Sequence, residues 1–248
     1  MNKFLLLPVL YSILFFTACD KIDAPYGVAS DSPTPSDTEV VMRKVLIEDF
    51  TGQTCGNCPR AAESLAQIHE LYGDKIVALA VHAGFFAEPA GTHYPNDYRT
   101  LEGNEIDSYF GNAAAGLPNG LVNRKAFDGQ TIVQHTAWSS KATELIALPI
   151  EAFMWITPTY TASNRSLSVS VKTRFYQNIE EGVSLVMYVS EDSIVSSQKD
   201  YNLPDPSLIE NYTHRHMLRG SMNGAWGAAL SPATTYSTGE ELINTGSI

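Results

Sequence analysis

The order of hydrophobic and polar positions divides the chain near residue 149. Before that point, short apolar runs bounded by polar residues predict buried strands, at 45–50, 76–81 and 120–123. Apolar residues spaced three and four positions apart predict helices between and after them, at 59–73, around 106–110 and at 131–148. Because strands that alternate with helices are typical of an α/β layer, we expect an α/β domain with at least one parallel strand pair.

After residue 149 the hydrophobic pattern changes to a period of two. Leu167, Val169 and Val171 alternate with polar residues, and 183–189 forms another strand-like run. Strands without intervening helices predict an all-β sandwich of the immunoglobulin-like type over 149–248. That fold needs about seven strands, and the pattern shows fewer. We therefore expect the sandwich to be incomplete at its C-terminal end.

The first 40 residues differ in composition from the rest. Lys3 precedes an apolar stretch over 4–16, and a short run of small residues then ends in Cys19. We interpret 1–19 as a lipoprotein signal peptide whose lipobox directs diacylation of Cys19. An ordinary signal peptide with an incidental Cys19 is the alternative. Residues 20–40 are rich in Pro, Ser, Asp and Thr, which predicts a disordered tether before the α/β domain at 41–148.

The charge balance narrows the range of partners. The chain has 16 Lys and Arg residues against 27 Asp and Glu residues, a formal net charge of −11. This charge repels phosphate backbones, so nucleic acid is not expected as a partner. Beyond the first twenty residues, no apolar run approaches the roughly 20 residues of a spanning helix. We expect a soluble folded body that is held at the membrane by a lipid anchor on Cys19.

A Cys-x-x-Cys motif, formed by Cys55 and Cys58, lies between the first predicted strand and the first predicted helix. The start of a helix presents unpaired N–H groups and a partial positive charge, which stabilise a thiolate on Cys55. Cys58, one turn further on, is placed to attack a mixed disulfide on Cys55 and release the product. The motif predicts a redox-active pair, with Cys55 as nucleophile and Cys58 as resolving thiol, that closes into a Cys55–Cys58 disulfide.

These features resemble the thioredoxin-like fold over about residues 43–148. Asp49 stands where thioredoxins carry a buried acid, and Pro118 stands before the third strand, where they carry a cis-proline. The resemblance implies that Asp49 assists proton transfer at Cys58 and that Pro118 shapes a substrate groove. Thr54 replaces the tryptophan that commonly precedes the first cysteine, so the direction of the redox reaction stays open.

The chain also resembles a narrower group, the twenty-eight-kilodalton outer-membrane protein type of Bacteroidetes lipoproteins. The segments that carry this likeness lie at 55–59, 81–84, 117–124 and 212–219. The resemblance implies a thioredoxin-like domain joined to a β-sandwich, and a location in the outer membrane. It leaves open whether the lipid-anchored protein faces the periplasm or the cell surface.

Several residues allow a second interpretation. The cysteine pair is either redox-active or a structural disulfide, whereas a zinc site would need a second ligand pair that the sequence does not offer. Cys55, Cys58, His82 and His93 form an alternative copper site, because thiolates and imidazoles suit Cu(I). His214 and His216 share a face if their segment is a strand, either as a metal pair, as part of a polar exposed face or as a contact between the two domains.

These predictions lead to two main hypotheses about function. The first is a thiol-disulfide oxidoreductase activity on exported proteins, carried by Cys55, Cys58, Asp49 and Pro118, with no cofactor. The second is a surface binding or scaffold lipoprotein that binds an unidentified protein partner and uses the disulfide only as a brace. A copper-binding thioredoxin-fold protein is a further alternative.

Overall fold

The computed structural model describes residues 40–248. The helices of this part are α1 (Cys58–Tyr72), α2 (Leu101–Phe110), α3 (Asn112–Ala115) and α4 (Trp138–Ile146). Its strands in the first half are β1 (Val45–Thr51), β2 (Ile76–His82), β3 (Asn119–Val122) and β4 (Ile132–Val133). The later strands are β5 (Ala152–Thr161), β6 (Ser166–Phe175), β7 (Ser184–Leu185), β8 (Tyr188–Glu191), β9 (Ile194–Lys199), β10 (Leu208–His214), β11 (Met217–Ser221), β12 (Ala228–Ala229) and β13 (Glu241–Ser247).

A mixed six-stranded sheet forms the centre of the fold, in the order β4-β3-β1-β2-β11-β8. β1 and β2 run parallel along their full length, with α1 as the crossover between them, and β3 lies antiparallel on the other side of β1. The predicted α/β layer with a parallel strand pair is therefore confirmed. The strands predicted at 45–50, 76–81 and 120–123 correspond to β1, β2 and β3.

Both faces of the central sheet are covered, because successive side chains of a strand point to opposite faces. On β1, Val45 and Ile47 pack against α1 and α4 in one cluster that includes Trp138. Phe50 faces the opposite side and packs with Ile106 of α2 in a second cluster. The apolar runs of the first half thus supply most of the two cores, and Leu218 and Ala225 of the second half complete the second one.

Two helix predictions need correction at their ends. α1 begins at Cys58, so Cys55 lies in the turn before the helix and not at its first position. The helix predicted over 131–148 is shorter, since Ile132 and Val133 first form β4 by pairing with β3. α4 then starts at Trp138, whose indole nitrogen donates to the Val133 carbonyl at 3.0 Å.

The second half of the chain does not confirm an immunoglobulin-like sandwich. β5, β6 and β13 form an antiparallel three-stranded sheet, and two further pairs, β9 with β10 and β7 with β12, stand apart from it. β8 and β11 extend the central sheet, with Met217 of β11 paired to Ala80 of β2. Met217 and Leu218 are completely or almost completely buried there. Apolar burial against β2 therefore draws these strands into the first half of the molecule.

Several predictions lie outside residues 40–248. These are the signal peptide over 1–19, lipidation at Cys19 and nearly all of the tether over 20–40, and they stay predictions, as do the domain limits. Within the described residues, none of the helices combines the length and the hydropathy that crossing a bilayer requires.

Candidate functional site

The cysteine pair lies at the junction between β1 and α1, and it forms the predicted disulfide. The Cα atoms of Cys55 and Cys58 are 5.4 Å apart. The backbone nitrogen of Cys55 donates to the Gly52 carbonyl at 3.0 Å, and that of Cys58 to the Cys55 carbonyl at 3.2 Å. Pro59 occupies the first turn of α1, where the missing N–H costs no helical hydrogen bond. Local turn geometry thus places both sulfurs at the N-terminal end of α1.

Asp49 lies on β1, six positions before Cys55, and is almost completely buried. Burial raises the pKa of its carboxyl group to about 7, because removing water disfavours the charged form. Its Oδ1 atom has no hydrogen-bond partner within residues 40–248. A carboxyl group with a pKa near neutrality is suited to proton transfer at physiological pH.

Pro118 stands at the same edge of the sheet as the cysteine loop. The Leu117–Pro118 peptide bond is cis, the geometry that the resemblance implied. Asn119, the next residue, pairs with Phe50 near the end of β1, so Pro118 lies where the chain leaves β1 toward Cys55. Asn119 is fixed by Asn112, whose side-chain nitrogen donates to Asn119 Oδ1 at 2.7 Å. This buried amide pair holds the Pro118 loop against the sheet.

A segment from the second half covers the cysteine loop, and we call residues 198–201 the strap. The Gln198 side chain donates to the carbonyl oxygens of Cys55 at 3.0 Å and Gly52 at 3.2 Å. The Tyr201 ring lies directly against Gly56. A Cβ atom added to Gly56 would come within 2.5 Å of the ring carbons, so only glycine fits there. An ion pair of 3.1 Å between Arg60 and Asp200 joins α1 to the strap.

The opposite side of the cysteine loop is covered by the turn at Phe86. The backbone and hydroxyl groups of Thr54 both donate to the Phe86 carbonyl, at 3.0 and 2.9 Å. Between this turn and the strap, Cys55 and Cys58 are each only 2% exposed. No local pattern predicts the strap, because its residues follow Cys55 by more than 140 positions and form no motif.

A cavity of about 610 Å³ lies beside the disulfide, between α1, β2 and the end of β10. Its lining includes Cys58, Asp49, His82 and His214, but not Cys55. Burial lowers the pKa of His82 to about 3 and that of His214 to about 4. Both imidazoles are therefore neutral at pH 7. The sequence pattern singles out His82 and His214 separately. The fold brings the centres of their rings to 5.6 Å from each other.

The alternative copper site is not supported by this arrangement. His93 is exposed beside Tyr94 and does not line the cavity that contains Cys58 and His82. Within residues 40–248, no three His, Cys, Asp or Glu side chains are grouped closely enough to hold a metal ion. His214 is buried at the end of β10 while His216 lies in the following turn. The described residues thus give no histidine pair for a metal, and His214 instead contacts His82 of the first half.

Comparison with known proteins identifies the family. The model of the outer membrane protein family Omp28 matches residues 104–242, more than half of the chain. The chain belongs to the Omp28 family. Membership in this family identifies the chain as an outer membrane protein. The segment that matches the Omp28 model includes Pro118, the strap and His214, and it begins after the cysteine pair.

Two solved structures are similar to this chain. HBP35 of Porphyromonas gingivalis is 15% identical, with a TM-score of 0.56 over 84% of this chain and 64% of that one. The present chain thus spans less than two thirds of HBP35. A protein from Agrobacterium tumefaciens is 12% identical, with a TM-score of 0.46 over 83% of this chain and 79% of that one. No curated protein matches the sequence.

Proposed function

We propose that this Omp28-family protein is a lipid-anchored, thioredoxin-like protein that exchanges thiols and disulfides with exported proteins. The observation that carries the proposal is the disulfide at the start of α1, with Asp49 buried on the preceding strand. Pro118, after its cis peptide bond, stands at the same sheet edge. The proposed anchor is a diacylated Cys19. Palmitate labelling that is lost in Cys19→Ala tests that part directly.

The reaction runs through both sulfurs. The Cys55 thiolate attacks a substrate disulfide, forms a mixed disulfide and releases one substrate thiolate, which takes up a proton. The Cys58 thiolate then attacks the Cys55 sulfur, so that the second substrate thiol leaves and the protein pair becomes oxidised. Asp49 accepts the proton of Cys58 in this step and returns it in the reverse direction. Pro118 shapes the surface on which the substrate backbone lies.

A protein substrate needs the strap to move before it reaches Cys55. The strap is held by the Gln198 hydrogen bonds, the Tyr201 ring on Gly56 and the Arg60–Asp200 ion pair. Its backbone nitrogens also donate at 2.9 Å, from Lys199 to the Gln53 carbonyl and from Tyr201 to the Gly56 carbonyl. Each such contact contributes on the order of 1 kcal/mol, so opening the strap costs several kcal/mol. Local openings of this size are typical of binding loops and lids.

Substrate trapping tests the proposal. A Cys58→Ser variant keeps the nucleophile but cannot resolve the mixed disulfide, so it should accumulate covalent complexes with exported proteins in cells. The control is a variant that carries both Cys55→Ser and Cys58→Ser. If the single variant traps no more protein than this control, the proposed exchange activity is absent and the proposal is wrong.

A second candidate function is a surface binding or scaffold protein in which the disulfide is only a brace. The observation that favours it is the 2% exposure of both cysteines beneath the strap and the Phe86 turn. A brace of this kind resists reduction, because the folded chain holds the two sulfurs together and excludes the attacking thiol. The two candidates therefore differ in the reduction potential of the pair.

A further inference from the structure

The cavity beside the disulfide has the size of a small-molecule site. Its volume of about 610 Å³ lies within the roughly 300–1,000 Å³ that is typical of ligand pockets. Small apolar side chains of α1 and β2 form much of its wall, namely Ala62, Ala66, Ala78 and Ala80. Arg215 also lines the cavity. Ala66 and Arg215 are both exposed, so the cavity opens to the surface beside them.

Three buried polar side chains face this cavity. Asp49, His82 and His214 line it with 5% exposure or less. Asp49 Oδ1, His82 Nδ1 and His214 Nε2 each have no hydrogen-bond partner within residues 40–248. Buried polar atoms in native proteins are almost always hydrogen-bonded. Three unpaired atoms around one cavity indicate a small ligand with polar groups of its own.

The two sulfurs differ in their access to the cavity. Cys58 lines it, whereas Cys55 does not. The Cys55 loop is covered by Gln198 and Tyr201 on one side and by Phe86 on the other. The cavity therefore borders Cys58, which is itself 2% exposed, while the strap remains closed over the Cys55 loop.

We propose that the cavity binds a low-molecular-weight thiol that reduces the disulfide by attack at Cys58. The proposal rests on the proposed exchange function and names the class of its electron donor. The thiolate of the donor bonds to Cys58 Sγ, the Cys55–Cys58 bond breaks, and Cys55 leaves as a thiolate that takes up a proton. A second donor thiol then attacks the donor sulfur of the mixed disulfide, which yields the donor disulfide and reduced Cys58.

Narrowing the cavity tests this route. In the full-length protein, Ala62→Leu places a larger side chain in the cavity from α1, one turn after Cys58. Ala80→Leu places one in the cavity from β2. The matched control is Gln67→Leu, which adds a similar side chain on an exposed position of α1 that does not line the cavity. The probe is 2-mercaptoethanol, and mass spectrometry of alkylated Cys55 and Cys58 follows the reduction. Thermal unfolding confirms that each variant is folded.

We expect reduction to be about tenfold slower in both cavity variants and unchanged in the control, because exchange rates depend on access to the attacked sulfur. A cavity variant that is folded and reduced at the rate of the wild type overturns the route through the cavity. A wild-type pair that no thiol reduces under native conditions overturns the exchange function as well. If the cavity variants are reduced at the wild-type rate and substrate trapping is intact, only the cavity proposal is wrong.

Single-cysteine variants give a second readout, in which each sulfur is tested separately. Cys55→Ser leaves Cys58 alone, and Cys58→Ser leaves Cys55 alone. We expect Ala62→Leu to slow the reaction of Cys58 with 2-hydroxyethyl disulfide about tenfold and to leave the reaction of Cys55 unchanged. A Cys58 rate that Ala62→Leu does not change would overturn the route through the cavity.

Discussion

Asp49 holds a carboxyl group inside the protein, at the cavity that Cys58 also lines. Burial raises its pKa from 3.8 to about 7, so the folded protein binds this proton more tightly than the unfolded chain does. Below pH 3.8 the group is protonated in both states. Between that value and about pH 7, the unfolded chain releases the proton first, and the free energy of unfolding falls as pH rises.

The first prediction concerns Asp49→Asn, which cannot ionise. From pH 4 to pH 7, the stability of the variant should improve relative to the wild type by about 1.4 kcal/mol for each pH unit. Urea unfolding at several pH values measures this difference. The exposed Asp74→Asn variant is the control and should show no such trend. A constant difference between Asp49→Asn and the wild type would show that Asp49 titrates normally.

At this scale, the sequence could predict residues close to the motif but not those far from it. Cys55, Cys58 and Asp49 lie within ten positions of one another on a strand–helix junction, so a local pattern identifies them. Gln198 reaches the same place through long-range pairing, and its own neighbours in sequence form no motif. His214 lies in a segment that the sequence singles out, at 212–219, but its pairing partner there is also set by long-range contacts. No local rule therefore assigns Gln198 to the Cys55 carbonyl or His214 to His82.

At the scale of elements, an ion pair joins the two halves of the chain. Arg124, after β3, forms two hydrogen bonds to Glu48 of β1, at 2.8 and 2.6 Å, and one to Tyr188 of β8 at 3.0 Å. Glu48 is completely buried. The Arg124 guanidinium also lies 5.5 Å from the centre of the Trp226 ring. One side chain thus connects the strand before the cysteines to β8 and to Trp226 of the second half.

The second prediction is that Arg124→Ala lowers the free energy of unfolding by about 3–5 kcal/mol, because Glu48 is left as an unpaired buried charge. Chemical denaturation measures the loss. Replacing both partners, as Glu48→Leu with Arg124→Met, should cost much less, and the exposed Lys125→Ala is the neutral control. A loss below 1 kcal/mol in Arg124→Ala would contradict a linking role for this pair.

The strands of the second half follow a local pattern, but their partners do not. The alternation at 167–171 correctly indicated β6, which pairs with β5 along ten residues. A period of two identifies a strand and its buried face, but it does not identify the partner strand. The run at 183–189 is assigned to the predicted sandwich for this reason, although β8, in which its last residues lie, pairs within the central sheet.

At the scale of the whole molecule, the strap makes access to the disulfide depend on the second half of the chain. The Omp28 model matches the part that includes the strap, while the cysteines lie before it. The part that matches the family model therefore covers a site that the preceding part of this chain supplies. Opening of the strap and exchange at Cys55 belong to one process in this account.

The third prediction follows from that arrangement. Tyr201→Ala removes the ring from Gly56 and should speed reduction of the disulfide by a protein-sized thiol donor, by about tenfold if the ring contributes about 1.4 kcal/mol to closure. Tyr160→Ala is the matched control, since Tyr160 is similarly exposed and lies on β5, outside the site. Equal rates for Tyr201→Ala and the wild type would show that the strap does not control access.

The reduction potential of the Cys55–Cys58 pair is the measurement that decides most directly between exchange and bracing. The full-length protein is equilibrated with glutathione buffers of graded ratio, and alkylated cysteines are counted by mass spectrometry. The variant with both Cys55→Ser and Cys58→Ser accounts for any signal from Cys19. We predict a midpoint between about −270 and −120 mV, the range of thiol–disulfide exchange proteins of this kind. A pair that stays oxidised below about −300 mV, as structural disulfides do, would contradict the account.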